Sequence, residues 1–224
     1  MTPSIIVLHY GRHALTDACL AAIEDGPEVV VVDNGGGYRH PRIDLLVTPR
    51  ENLGFARGCN VGARTASGDL LVFLNNDTEP QPRWLTSLMF PFFEREVAAV
   101  GAKLVYPDGR VQHAGVEIFR DSRGILTGQH VDPVFHDARR DVQAVTGACM
   151  AVRRDVFDEV GGFDVGFWNG YEDVDLCLAI GEAGYTIRYE PSAVVVHHES
   201  ASGAERWSRV RENIERLQQK WPHL

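Results

Sequence analysis

Three carboxylates stand within four residues at Glu172-Asp173-Val174-Asp175. At a helix start such acids satisfy free N–H groups and complement the helix dipole. Set beside aromatic groups, one of them also loses solvation and becomes a candidate general base. The preceding segment, Phe163-Asp164-Val165-Gly166-Phe167-Trp168-Asn169-Gly170-Tyr171, is aromatic and glycine-rich. It reads as a mobile pocket wall suited to stacking on a sugar, so cap and base both stay open for the acids that follow. A second group of residues follows apolar, β-rich runs: His9-Tyr10-Gly11, Asp33-Asn34 and Asn75-Asn76-Asp77. Any one Asx residue there makes a turn, but three in one sheet point to contacts with a ribose, a base or a metal. His197, which follows the apolar run Ala193–Val196, would complete a mixed oxygen and nitrogen metal site.

The elements that must position these groups alternate strand and helix. Ser4–His9, Val29–Val32, Asp44–Val47, Asp69–Leu74 and Val97–Lys103 read as strands. Helical spacing is read over His13–Glu24, from Asn52 as cap to about Thr65, and over Arg83–Arg95. A β-α-β order of this kind predicts a mostly parallel sheet flanked by helices. Ligands of such sheets bind outside the carboxyl ends of the strands, where the polar residues above fall. The second half changes character at Tyr106-Pro107-Asp108-Gly109-Arg110, a hairpin turn signal that predicts a smaller antiparallel part. Residues 114–140 read as a long surface excursion. Val142–Val152, Thr186–Tyr189 and Ala193–Val196 are expected strands; Arg154–Val160 and Glu172–Ala183 are expected helices. Trp207, Val210, Ile214, Leu217 and Trp221 mark a C-terminal amphipathic helix over about 204–221.

The chain has 224 residues with 22 Lys+Arg against 31 Asp+Glu, a net charge of −9. One domain is expected at this size. An acidic chain lacks the basic surface that nucleic-acid binding needs. No apolar run approaches the ~20 residues of a membrane span. Met1-Thr2-Pro3-Ser4 lacks an export-signal pattern, and the four cysteines, at 19, 59, 149 and 177, form no Cys-x-x-Cys pair. Reduced, buried thiols in a cytoplasmic enzyme are the expectation.

In order and spacing, a series of segments resembles the family 2 glycosyltransferases of the GT-A fold, in particular their rhamnosyltransferase-like branch. The segments are Ile5–Tyr10, Val30–Asn34, Glu51–Gly62, Gly68–Thr78, Thr146–Met150, Gly161–Asp164, Tyr171–Leu176 and Pro191–His197. The resemblance implies a single GT-A domain: a nucleotide-sugar-binding half over about 1–103, an acceptor and catalytic half over about 104–203, and the C-terminal helix. It implies inverting transfer of a sugar from a UDP-, dTDP- or GDP-linked donor to a hydroxyl on a saccharide, lipid-linked or other acceptor. Carried over by motif, Asp173 is the general base, with Glu172 beside it near the acceptor. Asp33 contacts the nucleotide, and Val7, His9 and Tyr10 frame the base. Asn52, Arg57 and Asn60 line the donor pocket together with Asn75, Asn76 and Asp77. Asp77 and His197 are the implied ligands of manganese or magnesium, which would bridge the diphosphate. Trp168, Tyr171 and Asp175 are acceptor-pocket candidates. A peripheral contact with the inner membrane face is compatible with a lipid-linked acceptor.

The series departs from the family in two places: Asn75 replaces the first acid of the metal motif, and Arg57 stands where small residues are common. Phosphate charge would be offset by the metal, Arg57 or helix N-termini. A sugar-phosphate nucleotidyltransferase would share the sheet but should carry a glycine-rich N-terminal loop, and Val7–Arg12 offers only Gly11. A glycoside hydrolase needs a second carboxylate across the bond, and nothing pairs with Asp173 in that way. A non-catalytic nucleotide-sugar-binding or scaffold protein of this fold predicts loss of the base or the ligands, whereas Asp77, Asp173 and His197 are all present.

Overall fold

In the computed structural model, which describes residues 1–120, 126–130, 136–199 and 209–224, the β-branched runs of the first half pair in parallel. Strand β1 (Pro3–His9) lies between β2 (Glu28–Asp33) and β4 (Leu70–Asn75), and β2 continues to β3 (Leu45–Val47). Covered on both faces, β1, β2 and β4 bury nearly every side chain, so their sequences are continuous apolar runs rather than alternating ones. Helix α1 (His13–Ala21) packs on one face together with α3 (Trp84–Met89). The opposite face carries α2 (Gly54–Thr65), α4 (Arg154–Glu159), α5 (Glu172–Glu182) and α6 (Val210–Lys220). Helix α2 sits close to the sheet because it presents glycine: a Cβ on Gly62 would lie 2.4 Å from Cγ2 of Ile6.

The second half extends the same sheet. Strand β11 (Cys149–Arg153) runs antiparallel to both β4 and β6 (Val97–Val105), and β12 (Thr186–His197) runs parallel to β6. Two reversals restore direction, so the carboxyl ends of β1, β2, β4 and β12 share one edge with the start of β11. Short strands finish the sheet: β5 (Thr78–Pro80) and β10 (Arg140–Asp141) on β12, and β7 (Val111–His113) on β6. The sheet is therefore mixed, parallel over its longer pairings and antiparallel where the second half joins. The expected boundary near residue 103 falls inside β6, which binds both halves into one sheet.

Several elements differ from expectation. Within 114–140 lies an antiparallel hairpin, β8 (Val116–Arg120) with β9 (Leu126–His130); residues 121–125 and 131–135 are outside the described set. Buried Val116 and Ile118 alternate with exposed Glu117 and Phe119, a strand period hidden among charged neighbours. Strand β11 begins only at Cys149: Val142–Ala148 forms no strand and keeps, among the described residues, only a bridge from Ala144 to Val116 and backbone bonds from Val142 to Ile187 and from Asn75 to Ala148 at its two ends. The two short strands expected near the C-terminus are one strand, β12, with a register shift between Glu190 and Val194 around Pro191. Helix α3 tightens at Met89 into a 3-10 turn over Phe90–Phe93, where Pro91 supplies no N–H. In α6 the fully buried positions are Asn213, Leu217 and then Trp221, while Trp207 is outside the described residues. All four cysteines are buried free thiols, and burial pushes Cys19 up to about 12. Among the described residues no helix is long and apolar enough to cross a membrane.

Candidate active site

The shared sheet edge gathers the polar strand ends. At the end of β4, the backbone N–H of Asn75 donates to the carbonyl of Ala148 (2.9 Å), and its carbonyl accepts from the Thr78 hydroxyl (2.6 Å). This tight turn carries Asn76 inward, where its amide donates to Oγ1 of Thr16 (2.9 Å), and turns Asp77 toward the end of β12. There Oδ1 of Asp77 faces Nε2 of His197 at 3.3 Å, with both side chains buried. The other ring nitrogen of His197 lies 2.6 Å from Oε1 of Gln112 on β7.

Whether this pair suits a divalent cation is a question of its donor atoms. Ligands at right angles on an ion with bonds of ~2.1 Å stand about 3 Å apart, close to the separation seen. That distance is long for a charge-assisted N–H···O bond. One carboxylate oxygen and one imidazole nitrogen form a mixed set that accepts a divalent first-row ion. Among the described residues no group of three His, Cys, Asp or Glu side chains forms a closed metal cage. An ion held here would keep positions for phosphate oxygens and water. The residues fit.

Beside this pair, β1 and β2 end in a buried polar cluster. Asp33 is fully buried, and its carboxylate accepts from the N–H groups of Gly35 (3.2 Å), Gly36 (2.8 Å) and Tyr38 (2.8 Å). His9 shares a 2.7 Å hydrogen bond with Thr16 and stacks on Tyr38 at 4.1 Å between ring centroids. Burial, opposed in part by the charge of Asp33, lowers the pKa of His9 below the ordinary imidazole value. Asn34 reaches across to α2, accepting from the Leu53 N–H (3.3 Å) and donating to the Gly54 carbonyl (3.4 Å). Tyr10 and Arg57 are exposed at this edge, as is Asn52, whose side-chain oxygen caps the Gly54 N–H (2.9 Å).

Asp173, half-buried in the first turn of α5, is aimed by two backbone donors. Oδ2 accepts from Gly147 (2.9 Å) and Oδ1 from Val174 (2.9 Å). The segment that leaves the β11 ladder supplies this contact: Gly147 touches the base candidate while its neighbour Ala148 is bonded to Asn75. A Cβ on Gly147 would come 2.9 Å from the Phe55 ring. The His113 ring sets the segment from behind, its Nε2 accepting from the N–H groups of Gly115 (3.2 Å) and Thr146 (3.4 Å). Residues before α5 take left-handed backbone angles at Asn169 (φ 49°) and Tyr171 (φ 71°). Three groups hold that bend. Asn213 donates to the carbonyls of Trp168 (3.0 Å) and Gly170 (2.9 Å) and accepts from the Trp168 N–H (3.2 Å). Glu172 accepts the Gly170 N–H (2.6 Å), and Asn169 accepts the Phe55 N–H at the start of α2 (3.2 Å). Trp168 lies against Gly54 and under the Arg209 guanidinium. The Tyr171 phenol is raised by burial and by the charge of Asp173.

The structure therefore brings His9, Tyr10, Asp33, Asn52, Arg57, Asn75, Asn76, Asp77, His197, Glu172 and Asp173 to one edge, with Trp168 and Tyr171 on the loop before α5. Three expected contacts lie elsewhere. Val7 is inside β1, paired to Val31 and Leu74 and fully buried in the core. Asn60 spends both ends of its amide on the Phe163 backbone (2.8 and 3.0 Å), tying Gly162-Phe163 to α2. Asp175 points away to α6, accepting from Lys220 (2.7 Å) and the Trp221 indole (2.9 Å). Sequence reading passed over Gln112, His113 and Asn213, and took Asn169 only as part of the pocket wall before α5. Only Asn213 left a signal, a polar residue beside the apolar stripe of a C-terminal helix.

The family model described as glycosyl transferase family 2 matches residues 4–161. O-antigen biosynthesis protein RfbC of Myxococcus xanthus is 40% identical over 151 residues, covering 64% of this chain and 12% of that protein. N-acetylglucosaminyl-diphospho-decaprenol L-rhamnosyltransferase of Mycobacterium tuberculosis (strain CDC 1551 / Oshkosh) is 28% identical over 214 residues, covering 81% of this chain and 69% of that protein. A crystal structure of GalNAc-T7 with UDP, GalNAc and Mn2+ superimposes with a TM-score of 0.75 at 18% identity, covering 98% of this chain and 48% of that one. That likeness is one of fold, and the fold is GT-A. The chain spans 12% to 37% of the length of several curated relatives it matches.

Proposed function

The chain belongs to glycosyl transferase family 2, and from that membership we propose that it transfers a sugar, with inversion, from a nucleotide-diphosphate-sugar to an acceptor hydroxyl. The observation that carries this reading is the meeting, on one sheet edge, of the Asp77–His197 pair with Asp173, linked through Asn75, Ala148 and Gly147. A donor phosphate and an acceptor hydroxyl have to meet at such an edge for a single displacement to occur. The names of the relatives, an O-antigen biosynthesis protein and a rhamnosyltransferase of a diphospho-decaprenol, favour a role in surface polysaccharide or glycoconjugate synthesis. They also favour a saccharide or lipid-linked acceptor.

In this mechanism Asp173 removes the acceptor proton as the hydroxyl oxygen attacks the anomeric carbon from the face opposite the diphosphate. The new carbon–oxygen bond forms as the bond to the diphosphate breaks, and the nucleoside diphosphate departs. Gly147 and Val174 hold one lone pair on each carboxylate oxygen, which fixes its direction and leaves others for the acceptor. Asp77 and His197 would hold a manganese or magnesium ion, which supplies Lewis-acid stabilisation of the leaving diphosphate when bound. Glu172 keeps the turn at Gly170 closed. Asn34 and Asn52 fix the start of α2, with Arg57 exposed on its first turn.

The test is to incubate the protein with UDP-, dTDP- and GDP-sugars plus manganese and follow nucleoside diphosphate release. One donor class should be consumed, and EDTA should suppress release. Asp173→Asn should lower the rate about 10²–10⁴-fold while nucleotide affinity by calorimetry stays within a fewfold. No release with any donor, together with no nucleoside diphosphate binding, would refute the reading; collapse of binding in Asp173→Asn would refute the assignment of the base.

A further inference from the structure

Behind the Asp77–His197 pair lies a polar chain that the transfer reaction does not itself require. Gln112, half-buried on β7, has both ends of its amide engaged. Oε1 is 2.6 Å from Nδ1 of His197, and Nε2 donates to Oε2 of Glu199 at 3.2 Å. A carboxylate only accepts, so the Glu199 contact fixes which way the amide points. The amide oxygen therefore faces the ring, and an amide oxygen also only accepts. It follows that the imidazole proton sits on Nδ1. In the neutral ring Nε2 is then left with its lone pair directed at Asp77 Oδ1, 3.3 Å away. The two distances agree: 2.6 Å is a hydrogen bond, while 3.3 Å is long for one to a carboxylate. Glu199 reaches Gln112 from a left-handed backbone conformation (φ 45°), which non-glycine residues seldom adopt.

Building on the metal reading above, we propose that Gln112, oriented by Glu199, is a positioning residue that holds His197 in the Nδ1–H tautomer and so presents Nε2 to a divalent cation shared with Asp77. The neighbouring carboxylate makes such a device necessary. Without a stronger acceptor at Nδ1, the neutral ring would place its proton on Nε2 and donate it to Asp77, closing the pair against a cation. The partner of the second ring nitrogen commonly sets tautomer and orientation in histidine–metal sites.

The experiment has two arms. Long-range proton–nitrogen correlation on metal-free, 15N-labelled protein at about pH 8, above the ordinary imidazole range, reads the tautomer of His197 directly. The wild type should show a protonated Nδ1 and an unprotonated Nε2, and Gln112→Leu should move the proton to Nε2. Mn2+ titrated in the presence of saturating UDP, and separately GDP and dTDP, followed by electron paramagnetic resonance of the free ion, reads affinity. Gln112→Leu should weaken binding about 10- to 100-fold. The exchange variant Gln112→Glu/Glu199→Gln, which restores an acceptor for the ring and a donor behind it, should retain the wild-type tautomer and most of the affinity. A wild-type Nε2–H tautomer overturns the proposal, as does wild-type behaviour of Gln112→Leu in both arms. If Asp77→Ala and His197→Ala bind Mn2+ like the wild type, the metal site itself fails, a result distinct from retained binding in Gln112→Leu alone.

Discussion

Asn213→Ala tests whether α6 holds the loop that delivers Asp173. Asn213 is 3% exposed and makes three hydrogen bonds to the backbone of Trp168 and Gly170. At ~1 kcal/mol net for each bond, and with two carbonyls and an N–H left to find other partners, removal should cost about 2–4 kcal/mol of stability. The loop has reason to move once released, because the left-handed angles at Asn169 and Tyr171 store roughly 1–3 kcal/mol apiece. Asp173 lies two residues beyond Tyr171, and a shift of ~1 Å in a reacting group costs about 10²-fold in rate. Urea denaturation should therefore show the stability loss, and nucleoside diphosphate release should show kcat down about 10²-fold with nucleotide affinity nearly unchanged. Leu217→Ala is the control: it empties a fully buried site one turn along the same helix, costing about 2–5 kcal/mol while leaving the three Asn213 bonds to the loop in place. If Leu217→Ala lowers kcat as much as Asn213→Ala at equal stability loss, the clamp is no more than helix packing. If Asn213→Ala changes stability by less than about 0.5 kcal/mol, the three bonds carry nothing.

Two further outcomes concern the core around this site. Burial raises the pKa of Asp175 above its ordinary value, against the opposing effect of Lys220 and Trp221. The folded protein then keeps a proton that the unfolded chain releases above about pH 3.9. The resulting stability is complete below that pH and declines as pH rises through the raised value. Asp175→Asn should flatten the denaturation midpoint over this window and remain within about 1 kcal/mol of wild type at neutral pH, since Lys220 is partly exposed; an unchanged pH profile would refute the assignment. Gly62→Ala should destabilise by about 1–3 kcal/mol, because its Cβ would overlap Ile6 and press on Val32 at 3.3 Å. A neutral result in urea denaturation would mean that α2 has slack against β1.

Strand ends were readable because the apolar run stops where the covered faces of the sheet end. Val29–Val32 and Leu70–Leu74 are apolar without interruption since both faces are covered, and the first polar residues after them mark the sheet edge. The helix start at Glu172 was readable from the three acids of its first turn. What escaped depends on long-range pairs of side chain and backbone, which leave no periodic trace. Gln112 acquires its role from a residue 85 positions away, and Asn213 from a loop 45 positions away. The seven residues before β11 looked like strand by composition, yet the chain withdraws Val142–Ala148 from the ladder, and that withdrawal lets Gly147 reach Asp173.

Charge presents the sharper problem, because on the proposed reading a protein of net charge −9 takes a diphosphate donor and must supply positive potential locally. Helix N-termini are the generic answer, yet of the three that face this edge two are already occupied by side chains, and only α1, which follows β1 directly, has no side-chain cap. At α2 the N–H groups of Leu53, Gly54 and Phe55 bond to the side-chain oxygens of Asn34, Asn52 and Asn169. At α5 the first turn carries Glu172, Asp173 and Asp175, and the Val174 N–H is taken by Asp173 itself. Compensation on the proposed reading therefore falls to the start of α1 and to a cation on Asp77 and His197, helped by the exposed Arg12 after β1 and Arg57 on α2. That makes the substitution of Asn for an acid at position 75 physically coherent. On that reading a neutral amide at Asn75, two residues before Asp77, avoids adding a third carboxylate against the phosphates, at the cost of leaving the cation with two protein ligands whose orientation then matters more.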